Sequence, residues 1–479
     1  MFRKKTATMI VALLVAISML AVACQGAEEP APEEEPTAAV EDTTEDATES
    51  EDAESEDEAP AAEEEEEPTE EPAAEEEEPA EEPVAEEEGE PVELTVWIYE
   101  SVAGDDAPIY DAVADFEAEN PNITVELVPI QYGSSSFRDR YITAAQANAG
   151  PDVLMSDIIW SPEFAAIGAA LPIDDYLDEG KLDEFYPGPV DTLRYEGSVY
   201  GFPFYTNALA MFYNKDAFAE AGLTDPADGW TWDEFAEAVE ATTDDDTYGF
   251  GLLGGWGGTF EWFPFLWSNG GQVLTEDMSQ AAFNDEAGLE SVQFFMDIMT
   301  SENVPEAAKS WQGWDEIGAA FSNELIAMYP VGDWGLNTVD EMDPDFEWGV
   351  APLPVAEEPA SVVGGANIMI NSNTEHPDAS YALIEYLTGP VSFEMMDYYN
   401  RLSARRGNMD EQQIVQDDPR MAVFVEALEY ARARPPIPNW TAVDWDCLQP
   451  AFQEILLNDA EIEASMDQAE TCANEALAD

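Results

Sequence analysis

LTVWIYESVAGDDAPIYDAVADFEAENPNITVELVPI, residues 94–130, sets the fold class. Its first six residues are an apolar and aromatic run of strand type. Ile109, Val113 and Phe116 then recur at helical spacing before the stop at Pro121, and ITVELVPI (123–130) is a second strand. The pattern continues downstream. FRDRYITAAQANAG (137–150) reads as a helix ending in glycine, PDVLMSD (151–157) as a third strand and SPEFAAIGAA (161–170) as a helix. Strands alternating with helices at this spacing argue for βαβ units, a largely parallel sheet and the α/β class. Ligands in such sheets collect beyond the carboxyl ends of the strands, where the strand order reverses. That rule singles out Glu100 after the first strand, and Asp157 and Trp160 after the third.

Upstream, Arg3, Lys4 and Lys5 precede an apolar segment (7–23) that ends in the small residues Ala21 and Ala23 before Cys24. This is the layout of an export signal over 1–23. A cysteine directly behind it resembles the lipobox of bacterial lipoproteins, although Leu20 stands four places before the cysteine where three is usual. Cys24 is the candidate lipidated residue; the alternative is an ordinary signal with an incidental cysteine. From 27 to 91 the chain carries 33 acidic residues and neither lysine nor arginine. Such a composition buries too little apolar surface to offset its ordering entropy, so 24–91 is expected to be a disordered acidic linker, a stalk, rather than an acidic binding tail. As a coil its roughly 65 residues average about 45 Å end to end, more with charge repulsion. No later apolar run reaches the ~20 residues needed to cross a bilayer, which predicts a protein anchored to the membrane, not spanning it.

Residues 92–479 are too many for one compact core and suit two lobes. The formal net charge of −91 opposes a nucleic-acid partner and does not favour phosphorylated ligands; a salt-tolerant solvated surface accounts for the acidity equally well. Cys447 and Cys472 are the two remaining cysteines, and in an exported chain they suit a disulfide.

Catalytic motifs are absent: there is no P-loop, no His-Glu-x-x-His and no Gly-x-Ser-x-Gly. The single histidine, His376, precedes Pro377 at a helix start, which leaves no usual zinc set. Asp244, Asp245 and Asp246 lack the alternate spacing of a calcium loop and read as a solvated turn. No metal, cofactor or catalytic residue is therefore assigned. A secreted glycoside hydrolase needs only two carboxylates about 5 to 10 Å apart and an aromatic cleft, so composition alone leaves it open. An adhesive or scaffold lipoprotein would also account for anchor and stalk.

FYNKDAFAEAGLTDP (212–226), GWTWDEF (229–235), FLWSNGGQVL (265–274), AAFSNELIAMYPVGDWGLNTV (319–339), VVGGANIMI (362–370) and HPDASYALIEYLTGP (376–390) follow in order. Together they resemble the family 1 extracellular solute-binding proteins of ABC importers, the family of maltose-binding proteins. The resemblance implies a two-lobed periplasmic-binding-protein fold of type II-like form, with a hinge. Its first lobe would be 92–207 plus 366–403 and its second 208–365 plus 404–479, with crossings near 206–209 and 364–367. It further implies a non-enzymatic, monomeric, extracytoplasmic protein that holds a sugar in the cleft and hands it to permease subunits.

A sugar presents hydroxyls at its edge and C–H bonds on its faces, so its site pairs flat aromatic rings with hydrogen-bonding side chains. In GWGGTFEWFPFLWSNGG (255–271), Trp256 and Trp262 are the candidate faces, and glycines 254, 255, 257 and 258 are expected to let the loop approach the ligand. In PVGDWG (330–335), Asp333 and Trp334 stand where the family places a tryptophan against its ligand. Tyr205 and Asn207 on the first crossing, Asn367 on the second, and Arg405 in NRLSARRG complete the set. At Arg405 the family's usual neighbouring proline is missing.

Changing Cys24 to serine is expected to move the protein from the membrane to the soluble fraction. Retention of Cys24→Ser on membranes would contradict the lipid anchor.

Overall fold

The computed structural model describes residues 90–104, 106–131, 136–407, 409 and 412–478. The signal (1–23), Cys24 and all but the last two residues of the 24–91 linker lie outside the described residues.

Strand β1 (Val92–Tyr99) is buried over its carboxyl half, as an apolar strand covered on both faces must be. β2 (Ile123–Ile130) pairs with it in parallel along its whole length, and β3 (Val153–Asp157) lies parallel on its other side. Helix Pro108–Glu119 begins on a proline, whose missing N–H is harmless in the first turn, and buries Ile109, Ala112, Val113 and Phe116. Helices Ser136–Gln146 and Ser161–Ala166 follow β2 and β3. The last is shorter than the apolar pattern predicts, because Gly168 turns the chain at φ 69° and Ala170 bridges to Asn371.

A small hairpin, β4 (Arg194–Tyr195) with β5 (Ser198–Val199), leads into the fully buried β6 (Phe202–Ala208). The aromatic and apolar run from Phe202 to Asn214 forms two strands, not one. β6 ends at Ala208 in the first sheet, and β7 (Ala210–Asn214) opens a second, three-stranded sheet between β8 (Met328–Val331) and β9 (Trp348–Ala351). β10 (Ser361–Ile370) returns the chain to the first sheet, antiparallel to both β3 and β6. β11 (Leu402–Ser403) pairs with β6, and β12 (Ala431–Arg432) with the start of β10. The order β11-β6-β10-β3-β1-β2 is therefore mixed, not largely parallel as the sequence pattern suggests. The cause is β10, which re-enters from the second sheet against the direction of β3.

β6 and β10 pair as Val363 with Ala208, Gly364 with Asn207 and Gly365 with Thr206, with a bulge between Ala366 and Asn367. Gly365 is sterically required, and at Gly364 the Asn207 amide takes the space of a side chain. A Cβ on Gly364 would fall 2.2 Å from Asn207 Oδ1, and one on Gly365, which has φ 129°, would fall 2.3 Å from the Tyr205 carbonyl oxygen.

The second sheet is packed by helices. Thr231 and Glu234 close a capping box on Trp232–Ala241, the Thr231 N–H donating to Glu234 Oε2 at 2.8 Å. Helix Thr259–Ser268 carries Pro264 in its interior and is buried along nearly all of its length, consistent with its apolar composition all round. A π-helical turn, Ala442–Leu448, runs into Gln449–Asn458, and the last helix, Ile462–Ala478, is tied to it by the Cys447–Cys472 disulfide with Cα atoms 5.6 Å apart. Closing a loop of that size stabilises by about 3 kcal/mol in the chain-entropy account. Among the described residues no helix is long and apolar enough to cross a membrane.

Two carboxylates lie inside this lobe. Burial pushes Glu261 up to about 7, with Asp444 nearby adding to the shift. Burial likewise raises Asp444 to about 6, opposed by the Thr259 hydroxyl that donates to it at 2.8 Å and by Arg434.

Two predictions follow from this packing. Gly365→Ala, forced into a left-handed conformation against a carbonyl, should lower unfolding stability by about 2 kcal/mol or more in urea titration; a wild-type midpoint would contradict the strained pairing. Glu261 has a folded pKa above its unfolded value of 4.5, so its contribution is full below pH 4.5 and is lost as pH rises through about 7. The stability of Glu261→Gln relative to wild type should therefore rise by about 3 kcal/mol between pH 4.5 and 8. Parallel pH profiles for the two proteins would show that Glu261 does not titrate in this way.

Candidate functional site

The sheet register lines up one row of residues. Asp157 ends β3, and β3 lies beside β1 through Val96 and Trp97. Asp157 faces Ala366 on β10, Ala366 faces Tyr205 on β6, and Tyr205 faces Ser403 on β11. Tyr205 and Asn207, two residues apart, share one face of β6.

Asp333 meets this row from the second sheet. It follows β8 at the start of helix Gly335–Met342, and its Oδ2 accepts the Leu402 N–H of β11 at 3.1 Å. The carboxylate is fully buried and Oδ1 has no hydrogen-bond partner. Burial pushes its pKa up to about 6, while the Arg401 guanidinium and the Leu402 and Trp334 N–H groups pull it down. Arg401 lies over the Tyr205 ring at 4.8 Å. The Tyr205 hydroxyl is raised by burial, lowered by Arg401 and raised again by Asp157 and Asp333, which places all four groups in one electrostatic neighbourhood.

Trp334, next in the chain, folds back over Gly332: a Cβ there would fall 1.9 Å from Trp334 Cζ3. Its indole N–H is buried without a partner, and its ring meets Trp314 edge-on at 5.3 Å. Trp256 is 42% exposed and donates from Nε1 to the Gln312 carbonyl at 2.8 Å. Gly255 N–H bonds the Trp311 carbonyl, so the Trp256 loop is knitted to the segment that carries Trp314. Trp256, Trp314 and Trp334 thus form a connected aromatic set. The glycines of this loop serve that knitting. A Cβ on Gly254 would fall 2.7 Å from the Ala308 carbonyl oxygen, on Gly255 2.5 Å from Gln312 Cγ, and on Gly257 2.9 Å from the Gln449 carbonyl oxygen. Their missing side chains admit protein, where the sequence reading expects them to admit ligand.

The remaining candidates sit elsewhere. Glu100 is exposed in the turn Glu100–Val102. Asn207 is buried with Oδ1 unpaired. Trp160 is fully buried and stacks on Phe137 in the first lobe. Trp262 has no surface open to solvent, donates its indole N–H to Ser291 Oγ at 3.0 Å and packs on Phe452. Asn367 spends both amide hydrogens on Ser161 and Thr192, at 2.8 and 2.9 Å. Arg405 is held by Glu184 at 2.9 Å and by the Thr388 carbonyl at 3.2 Å. Arg401, Gln312 and Trp314 were not singled out from sequence, and no local pattern marks them. Asp244 accepts the Asp246 and Thr247 N–H groups in a turn, and the described residues contain no metal-holding group of three or more His, Cys, Asp or Glu.

The comparison with known proteins agrees with this architecture. Residues 99–392 match the family model described as bacterial extracellular solute-binding protein. A binding protein of Brucella abortus is 24% identical over 81% of this chain and 93% of its own length. The maltotriose-binding protein of Pyrococcus abyssi is 26% identical over 67% of this chain and 69% of its own. Among solved structures, an ABC transporter solute-binding protein from Thermotoga lettingae, bound with α-D-tagatose, is 29% identical and covers 80% of this chain and 99% of its own, with a TM-score of 0.69. The last two are named for solute binding. Two sheets joined through β6 and β10, with polar and aromatic side chains meeting between them, and a family match over most of the folded chain place this protein in the bacterial extracellular solute-binding protein family.

Proposed function

We propose that this chain captures a sugar, mono- or oligosaccharide, in the cleft between its lobes and delivers it to the permease of an ABC importer. In this reading the protein is a monomer outside the cytoplasm, held to the membrane by lipid on Cys24 with 24–91 as its tether. The lobes are 92–207 plus 366–403 and 208–365 plus 404–479. The observation that carries the reading is the meeting of Asp157, Tyr205 and Arg401 from the first-sheet side with Asp333 from the second, whose Oδ2 accepts the Leu402 N–H. A solute between them touches both lobes, and only differential contact of that kind shifts an open–closed equilibrium. The known ligands of the relatives, maltotriose and tagatose, give the chemical class.

Within the cleft, Trp334 and Trp256 cover a sugar face while Asp157, Asn207, Tyr205 and Asp333 take its hydroxyls, with Glu100 at the rim. Trp160, Trp262, Asn367 and Arg405 support the walls. Leaving a buried hydroxyl unpaired costs about 1 to 3 kcal/mol, which gives selectivity among epimers.

A carbohydrate panel screened by thermal shift tests the reading: a ligand at 100 times its dissociation constant stabilises by about 2.7 kcal/mol. Trp334→Ala should weaken the bound sugar by at least tenfold, about 1.4 kcal/mol, with the fold intact by circular dichroism. Wild-type affinity in that variant would remove Trp334 from the site, and cleavage of excess oligosaccharide would replace capture with hydrolysis.

A further inference from the structure

We propose that Asp333, with Arg401 and Asp157 around Tyr205, sets the charge selectivity of the cleft: it favours a sugar or polyol bearing a protonated amine, accepts the neutral one and rejects the carboxylated or phosphorylated one. The inference rests on the sugar-capture reading and specifies its substrate class.

The first ground is the hydrogen-bond balance. Two buried acceptors near the β6–β10 pairing and the β8 end have no partner, Asn207 Oδ1 and Asp333 Oδ1; the unpaired groups able to donate there are Trp334 Nε1 and the Tyr329 hydroxyl on β8. Unpaired buried acceptors call for donors, and hydroxyl and ammonium groups donate where carboxylate and phosphate groups cannot.

The second ground is charge. Asp157 and Asp333 both act on Tyr205, and Arg401 is the one cation acting with them there. Arg401 already lies over the Tyr205 ring and offsets Asp333. Of the arginines that follow it, Arg405 is held by Glu184, Arg406 by Glu429, Arg420 by Asp340 and Asp418, and Arg432 by Glu358, while Arg434 lies over Phe260 with its Nε unpaired. Beside Tyr205 an anionic solute would meet two carboxylates and one guanidinium, that of Arg401. An unpaired buried charge is among the costliest groups to desolvate. An ammonium beside Asp333 Oδ1 would instead supply the partner that oxygen lacks.

The test titrates the intact protein by calorimetry at pH 7.5 and low salt with glucose, glucosamine and glucuronate. It repeats the titration with cellotriose, the chitosan trisaccharide and the matching triuronate. In whichever series binds, the amine should bind at least tenfold more tightly than the uronate, with the neutral sugar between them. Asp333→Asn should narrow that ratio to less than threefold. Arg401→Met, which removes the cation and keeps Asp333, should widen it. A uronate that binds as tightly as its neutral parent overturns the inference, as does an unchanged ratio in both folded variants. If the wider thermal-shift panel also yields no ligand, the sugar reading itself fails; a neutral ligand in that panel with no charge preference fails this inference alone.

Discussion

The pairing of β6 with β10 is the contact on which the meeting of the two sheets chiefly rests. These strands carry the chain out of the first sheet and back into it. They lie antiparallel, with Gly364 opposite Asn207 and Gly365 opposite Thr206. At Gly365 the Tyr205 carbonyl leaves room for hydrogen alone, and at Gly364 the Asn207 side-chain amide fills the space a Cβ would take. Because β6 ends at Ala208 and β7 begins at Ala210, one residue separates the two sheets along the chain, and Ser361 Oγ at the start of β10 bonds the carbonyl of that residue, Leu209, at 2.8 Å. A short, doubly held connection of this kind confines relative motion to a few backbone angles, as hinge closure requires.

The site inherits its composition from the same constraint. Strand ends of the first sheet present Asp157 and Tyr205, while the β8 end presents Asp333 and Trp334. The N–H of Leu402 reaching Asp333 Oδ2 ties β11 of the first sheet to the second lobe. Burial raises both Asp333 and Tyr205 above their ordinary pKa values at this meeting point. The aromatic side is built differently: Trp256, Trp314 and Trp334 come from separate segments of the second lobe, linked by the Gln312 carbonyl and edge-on ring contact.

The alternation of strands and helices was legible because its signals are local: the apolar run of β1, the periodicity of Pro108–Glu119, the Thr231–Glu234 box. What was not legible is the direction of β10, since a strand's sequence does not say from which lobe it arrives. The break at Leu209 has no local mark, because β6 and β7 are equally apolar and aromatic; the crossing near 206–209 was expected only from the family resemblance. In the candidate site, residues at strand ends could be found from the sheet rule, which gave Asp157, and from the family resemblance, which gave Tyr205, Asp333 and Trp334. A tryptophan's fate could not be read the same way: Trp256 and Trp262 stand six residues apart in one aromatic stretch, yet one is half exposed and the other sealed in a helix buried on all sides. Arg401 and Arg405 likewise look alike in NRLSARRG, and only the fold sends one over Tyr205 and the other to Glu184.

The central claim is that one solute touches both lobes at once. Hydrogen–deuterium exchange with and without a sugar from the panel measures this directly. The account predicts slowed exchange in residues 153–158 of the first sheet and, at the same sugar concentration, in residues 331–336 of the second. Protection confined to one of the two segments would contradict it.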